Sequence, residues 1–192
     1  MDKDSLPGAS PDPWRTIENP ITGEVLTFVE RSAERCVLDL TLPPGQVPIA
    51  VHSHTGREHF LVLKGDLRVT VSGVVHDLGE GQEMAVKQEF HSPTNVSGTD
   101  VTFRVTCEPG YFAERGLRGA FGMANDGRIG PDGKPRDFLT LALLSERGKY
   151  RVEGVPGPVW RVLMTGLGAG ARLAGRRKVL DGYWPPDLPR PW

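Results

Sequence analysis

Apolar and polar residues alternate over short segments in the first part of this chain, between residues 25 and 107. In the clearest segment, residues 36–42, one cysteine and three leucines share one face, while Val, Asp and Thr occupy the other. Residues 101–107 alternate in the same way and are followed by Pro109-Gly110. A period of two predicts half-buried β-strands, and clusters of Pro and Gly mark the turns between them. Short strands about ten residues apart favour a sandwich or a barrel.

The pattern changes after Pro109. Residues 111–124 and 137–147 repeat apolar positions at helical spacing, and Asp137 can cap the second of these helices. Residues 158–174 are almost entirely apolar, and a tail rich in Trp and Pro ends the chain. The predicted organisation is an N-terminal arm over residues 1–20, a β-barrel over residues 21–109, and a helical extension with the Trp/Pro-rich tail over residues 110–192.

Length and charge narrow the classes of protein that fit this pattern. A chain of 192 residues most simply forms one domain with appendages. An apolar fraction of 38%, with 24 Gly and 17 Pro, suits a turn-rich all-β fold better than a helical bundle. The 23 basic and 24 acidic residues give a net charge of −1, so no global field attracts nucleic acid or an anionic membrane.

Several features bear on the compartment. Cys36 and Cys107 lie far apart within strand-like segments, which predicts buried, reduced thiols and a reducing environment. Residues 1–14 lack the apolar run of a secretory signal. Residues 158–174 are too short and too interrupted to cross a bilayer; packing over the barrel or against a second subunit is favoured over a membrane-surface helix. We expect a cytoplasmic protein without an integral membrane segment.

Three of the five histidines fall close together with one carboxylate, in the order His52, His54, Glu58 and His91. Residues two apart on a strand share a face and lie about 7 Å apart, so His52 and His54 project together into the barrel. Glu58 begins the next strand, and His91 lies on a later hairpin. Because burying these groups together is costly without a cation, we predict that the four bind one divalent transition metal. Fe, Ni, Zn and Mn all suit this ligand set, and the spacing does not choose among them.

These residues carry a resemblance to a known family. The segment from Gly45 to Gly65 resembles the first motif of the cupin superfamily. In it, six residues separate Gly45 from His52-Ser-His54, three separate His54 from Glu58, and six separate Glu58 from Gly65. The spacing before the first histidine is one residue longer than in the family's motif. The segment from Gly81 to His91-Ser-Pro-Thr-Asn95 resembles the second motif. It departs from that motif ahead of the histidine, where Lys87 and Glu89 stand in place of the usual Pro and Gly and the spacing is one residue shorter.

The resemblance, over roughly residues 20–108, implies a double-stranded β-helix barrel. It places His52, His54, Glu58 and His91 at the family's metal-ligand positions. Residues 110–180 are similar to the helical extension of small bacterial single-domain cupins.

The expected function follows from this site and this resemblance. The first hypothesis is a dioxygenase, in which the metal binds a small-molecule substrate and dioxygen while Glu58 also accepts a proton. The second is a non-redox, metal-assisted cyclase, isomerase or lyase of the polyketide-tailoring kind. The third is a small-ligand binding module, which the lack of a recognisable helix-turn-helix or other effector domain disfavours. An apolar or aromatic substrate is expected because the candidate wall residues are Ala50, Phe60, Val62, Met84 and Phe103.

A homodimer is also expected. Cupin barrels leave sheet edges and an apolar outer face, and Trp160, Leu163 and Leu167 recur at helical spacing in the apolar C-terminal segment.

Overall fold

The computed structural model describes residues 12–45, 49–148 and 150–191. The first eleven residues of the expected arm and the last residue of the tail lie outside the described residues. In chain order the strands are β1 (Thr16–Glu18), β2 (Val25–Arg31), β3 (Cys36–Leu42), β4 (His52–Ser53), β5 (Arg57–Lys64), β6 (Leu67–Val71), β7 (Val74–Leu78), β8 (Glu83–Val86), β9 (His91–Asn95), β10 (Val101–Glu108) and β11 (Arg151–Val152). The helices are α1 (Gly110–Asn125), α2 (Phe138–Gly148), α3 (Gly157–Leu173) and α4 (Arg176–Gly182).

Two antiparallel sheets form the barrel. One has the strand order β1-β2-β3-β10-β5-β8, and the other has the order β11-β4-β9-β6-β7. Their order is that of a double-stranded β-helix, with sequence-distant strands β3, β10 and β5 side by side at the centre of the larger sheet. The prediction of an all-β double-stranded β-helix barrel with a helical C-terminal extension is confirmed.

The barrel core follows the alternation seen in the sequence. In β3, Leu38 and Leu42 are buried while Asp39 is only half-buried and pairs with Arg104 of β10, with Arg104 Nε 2.7 Å from its carboxylate. Phe60 and Phe103 meet inside the barrel with ring centroids 6.0 Å apart. Removing apolar side chains from water is the main force that holds the two sheets together.

The helical extension has a core of its own and a firm attachment to the barrel. Its buried apolar residues are Met123, Leu143, Leu144, Ala171, Leu180, Trp184 and Leu188. Helix α1 joins the two parts, because Ala113 and Phe121 pack into the barrel core. On the same helix the carboxylate of Glu114 is fully buried and lies 2.7 Å from both Arg31 Nε of β2 and Arg118 Nε. This ion pair ties α1 to the barrel wall.

Two strands lie in segments that show no clear alternation of apolar and polar residues. β1 lies within the expected N-terminal arm and pairs with β2. β11 lies within the helical extension and pairs with β4, so the extension adds a strand to the barrel sheet. Within the described ranges, none of the helices combines the length and apolarity that crossing a bilayer requires. Cys36 and Cys107 are buried, free thiols that lie opposite each other on β3 and β10.

Candidate metal centre

Strand pairing brings the three predicted histidines together. β4 and β9 are neighbours in the smaller sheet, and their register places His52 opposite His91. His54 follows β4 directly, and its ring centroid lies 5.6 Å from that of His52 and 5.3 Å from that of His91. One ring nitrogen from each histidine lies within 4.8 Å of the others, close enough for a single ion to contact all three. The three histidines can therefore hold a metal ion.

Backbone carbonyls orient each imidazole. The Nδ1 atoms of His52, His54 and His91 lie 2.8, 3.3 and 2.9 Å from the carbonyl oxygens of Ala50, Thr55 and Glu89. Because a carbonyl oxygen only accepts hydrogen bonds, Nδ1 carries the proton in each neutral ring. The Nε2 lone pair is then left available as a ligand, and the hydrogen bond fixes the ring orientation, as is usual around protein-bound metals.

Glu58 places a carboxylate against two of these nitrogens. Its two carboxylate oxygens lie 3.1 Å from His54 Nε2 and 3.1 Å from His91 Nε2. Among the described residues, His91 Nε2 is buried without a hydrogen-bond partner. Nitrogen lone pairs and carboxylate oxygens at this separation repel one another unless a proton or a metal ion lies between them. The donor set therefore fits a cation shared by the histidines and Glu58.

The protonation states follow from burial and from these neighbours. Burial, and then the nearby charge of His91, lowers the pKa of His52 to about 4. Burial opposes a charge on His91, but the adjacent Glu58 carboxylate outweighs it and raises the pKa of His91. Burial also opposes the charge on Glu58, yet His54 and His91 hold the pKa of Glu58 well below its usual range. At neutral pH, His52 is thus a ready neutral ligand and Glu58 a ready anion.

Two aromatic residues of the extension complete the surroundings of the histidines. Tyr150, between α2 and β11, has its ring centroid 5.4 Å from that of His54 and 6.1 Å from that of His52. Phe112 of α1 stacks on Tyr150 at 5.9 Å and lies 5.9 Å from His54. Close approach of α1 depends on Gly116, since a Cβ there would clash with the Tyr150 hydroxyl oxygen.

Neither aromatic residue is marked by the sequence pattern as part of the site. Phe112 was visible only as one apolar position of a helix, and Tyr150 belongs to no recognisable pattern. The pairing of β11 with β4 is what carries Tyr150 to the histidines. No local signal in the sequence reports that contact.

The predicted wall residues differ in where they lie. Phe60, Val62 and Phe103 are at most 2% exposed and pack in the barrel core, where the Phe60 ring lies 6.3 Å from that of His91. Met84 is half-buried beside that core. The prediction for Ala50 is wrong: its side chain is exposed, because β4 begins only at His52 and Ala50 precedes the strand. Ala50 contributes its carbonyl oxygen to His52 instead.

The other histidines lie outside the cluster. His59 pairs with Glu83 at 3.4 Å with 38% of its side chain exposed. His76 is exposed on β7.

The sequence of the barrel matches one protein family. Residues 38–107 correspond to the family described as the cupin domain, a stretch that contains His52, His54, Glu58 and His91. The match assigns the barrel to the cupin domain family over residues 38–107, and the helical extension lies outside it. No match is found among curated proteins.

Solved structures resemble part of this chain in fold. A protein with a double-stranded β-helix domain from Klebsiella pneumoniae is 23% identical, with a TM-score of 0.41 over 53% of this chain and 84% of that one. An RmlC-like cupin from Shewanella frigidimarina is 21% identical, with a TM-score of 0.45 over 55% of this chain and 93% of that one. A sugar phosphate isomerase from a cupin superfamily, from Silicibacter pomeroyi, is 20% identical, with a TM-score of 0.42 over 45% of this chain and 59% of that one. The family assignment rests on the sequence match alone.

Proposed function

We propose that this cupin is an enzyme that binds one divalent transition metal through His52, His54, His91 and Glu58 and acts on a small aromatic or apolar molecule. The observation that carries the proposal is the cluster of three histidines, two of which, His54 and His91, place their Nε2 atoms 3.1 Å from the Glu58 carboxylate. When bound, the metal would supply Lewis acidity and open positions for substrate or dioxygen.

The protein's own residues have separable roles in this proposal. Glu58 is both a ligand and the proton acceptor in this proposal, because it is the carboxylate that lies within 3.1 Å of two of the histidine Nε2 atoms, next to the position an ion would occupy. Tyr150 and Phe112 cover the histidines from the side of the extension, exclude water, and offer aromatic faces to an aromatic substrate. Dioxygenase chemistry is the first hypothesis, and non-redox cyclase, isomerase or lyase chemistry is the alternative.

Elemental analysis combined with oxygen consumption tests the proposal. The purified full-length protein would be assayed for bound metals and for oxygen uptake with catechols, flavonols and polyketide-like aromatics. Stoichiometric iron with substrate-dependent oxygen uptake is the expected result. Zinc with conversion of substrate but no oxygen uptake would support the non-redox alternative. Protein that binds none of Fe, Ni, Zn or Mn would contradict metal-dependent catalysis and leave a binding module.

We also propose that the chain forms a homodimer through α3. This helix exposes Val162 and Leu173, with 75% and 92% of each residue accessible, and Val159 and Leu163 are exposed along with them. Of the expected positions, Leu163 is exposed, whereas Trp160 and Leu167 are half-buried against the extension. Covering such apolar side chains favours association. Cytoplasmic location stays a prediction.

Light scattering at micromolar concentration tests the dimer. Wild-type protein should have the mass of two chains, and Val162→Glu should reduce it to one. Val74→Glu alters another exposed valine, on β7, and should leave the dimer intact. A monomeric wild-type protein would overturn this proposal.

A further inference from the structure

A second candidate ligand site lies within the helical extension. A cavity of about 720 Å³ opens between the end of α2, β11 and the first turns of α3. This volume is in the range of roughly 300–1,000 Å³ that binds small organic molecules in proteins. The cavity lies outside the barrel core, and Tyr150 is the residue that it shares with the surroundings of the histidines.

Aromatic and other apolar side chains form one part of its wall. Tyr150, Trp160 and Met164 line the cavity, and the Trp160 indole N–H donates a hydrogen bond to the Tyr150 carbonyl oxygen at 2.6 Å. That bond holds the Trp160 side chain against the Tyr150 backbone. Aromatic side chains fixed in this way offer apolar area with little loss of conformational freedom on binding.

Two positively charged side chains form the other part of the cavity wall. Arg151 and Arg161 line the cavity, and neither has an ion-pair partner within the described part of the chain. Glu146 is the acidic residue in the lining, and Arg172 Nη2 already pairs with its carboxylate. Arg151 is held in place by stacking over Phe90, with its guanidinium carbon 5.3 Å from the ring centroid. The unpaired charge in the cavity is therefore cationic, and guanidinium groups bind carboxylates through paired hydrogen bonds.

We propose that this cavity binds a small aromatic carboxylate, with its ring against Tyr150 and Trp160 and its carboxylate on Arg151 and Arg161. The site goes beyond the proposed metal-dependent activity and needs no metal. Because Tyr150 packs against His54 on one side and lines the cavity on another, the bound carboxylate would sit next to the candidate metal centre.

Calorimetric titration of the full-length, chelator-treated protein tests the proposal with two probes of the same size, 2-naphthoate and 2-naphthalenemethanol. The carboxylate should bind with one-to-one stoichiometry and about tenfold more tightly than the neutral alcohol, as expected for charge-assisted hydrogen bonds. Arg161→Gln and Arg151→Gln should each weaken binding of 2-naphthoate by about tenfold. Arg15→Gln removes an exposed arginine on the barrel side and should leave the affinity unchanged.

Three results would overturn the site: no binding of 2-naphthoate, equal affinity for the two probes, or equal weakening by Arg15→Gln. Circular dichroism of each variant shows that it is folded. Since the titration uses protein without metal, its failure does not bear on the metal centre. Failure of metal binding by the histidines would likewise leave the naphthoate result unchanged.

Discussion

The barrel and the helical extension bring different chemistry to the same place. The barrel supplies the four candidate metal ligands from both of its sheets: His52 and His91 lie on β4 and β9 of the smaller sheet, with His54 directly after β4, and Glu58 lies on β5 of the larger one. The extension supplies the aromatic ring of Tyr150 above those ligands, together with the positively charged cavity beyond it.

This division separates binding of the ion from access to it. The orientation of each imidazole is set by backbone carbonyls of the barrel, whereas Tyr150 reaches the site through the pairing of β11 with β4 and the packing of α1. A change in the barrel should therefore alter metal binding or chemistry directly. A change in the extension should alter stability and access while the ligands stay in place.

The largest effect is expected at Glu58. Glu58→Gln should retain much of the metal, because an amide oxygen can still coordinate and the imidazoles remain, but turnover should fall by about 10²- to 10⁴-fold with loss of the proton acceptor. Glu83→Gln is the matched control, since Glu83 is 62% exposed and pairs with His59 outside the cluster. Turnover and metal content would be measured on the same samples. Undiminished turnover with retained metal would rule out Glu58 as the base.

Metal affinity should depend on pH through His91. The pKa of His91 is raised in the metal-free protein, so a proton competes with the metal as the pH falls below that pKa. His52, with a pKa of about 4, stays neutral over the same range. The affinity should fall by about tenfold per pH unit below the pKa of His91, measured by competition with a chelator whose own pH dependence is known. An affinity that does not change between pH 8 and pH 5 would exclude His91 as a ligand.

Two glycines in the helices of the extension, Gly116 and Gly166, test whether the packing of Tyr150 on α1 stabilises the protein. Gly116→Ala places a Cβ that clashes with the hydroxyl oxygen of Tyr150, whose ring is packed against Phe112 and His54. The substitution should destabilise the protein by about 1–3 kcal/mol. Gly166→Ala on α3 meets no atom within 4 Å in the described structure and should stabilise it by about 1 kcal/mol. Urea denaturation measures both, and metal content should not change. Equal effects of the two substitutions would show that Tyr150 does not pack closely on α1.

The strands and the candidate ligands could be predicted because the patterns that mark them span only short segments of the sequence. Period-two alternation reports which face of β3 is buried, and the spacing of His52, His54 and Glu58 spans two successive strands. His91 is farther along the chain, yet the second motif of the family resemblance marks it. The helices of the extension were also visible from their apolar spacing.

The aromatic cover could not be predicted because it depends on contacts between distant segments. Tyr150 follows α2 and is brought to His54 by two residues of β11, a strand too short to show alternation. The glycines of α1 weaken its helix propensity, although Gly116 is what lets Tyr150 approach the helix. Ala50 was misplaced for a similar reason, since the start of β4 is set by its partners β9 and β11.

If the clustered histidines bind one metal ion, the metal content of His52→Ala should differ sharply from that of the wild type. Elemental analysis would compare wild-type protein, His52→Ala, and His76→Ala, which removes an exposed histidine of β7. Circular dichroism would show that all three are folded. We expect about one metal ion per chain in wild type and His76→Ala, and a large loss in His52→Ala. Equal metal content in wild type and His52→Ala would contradict this expectation.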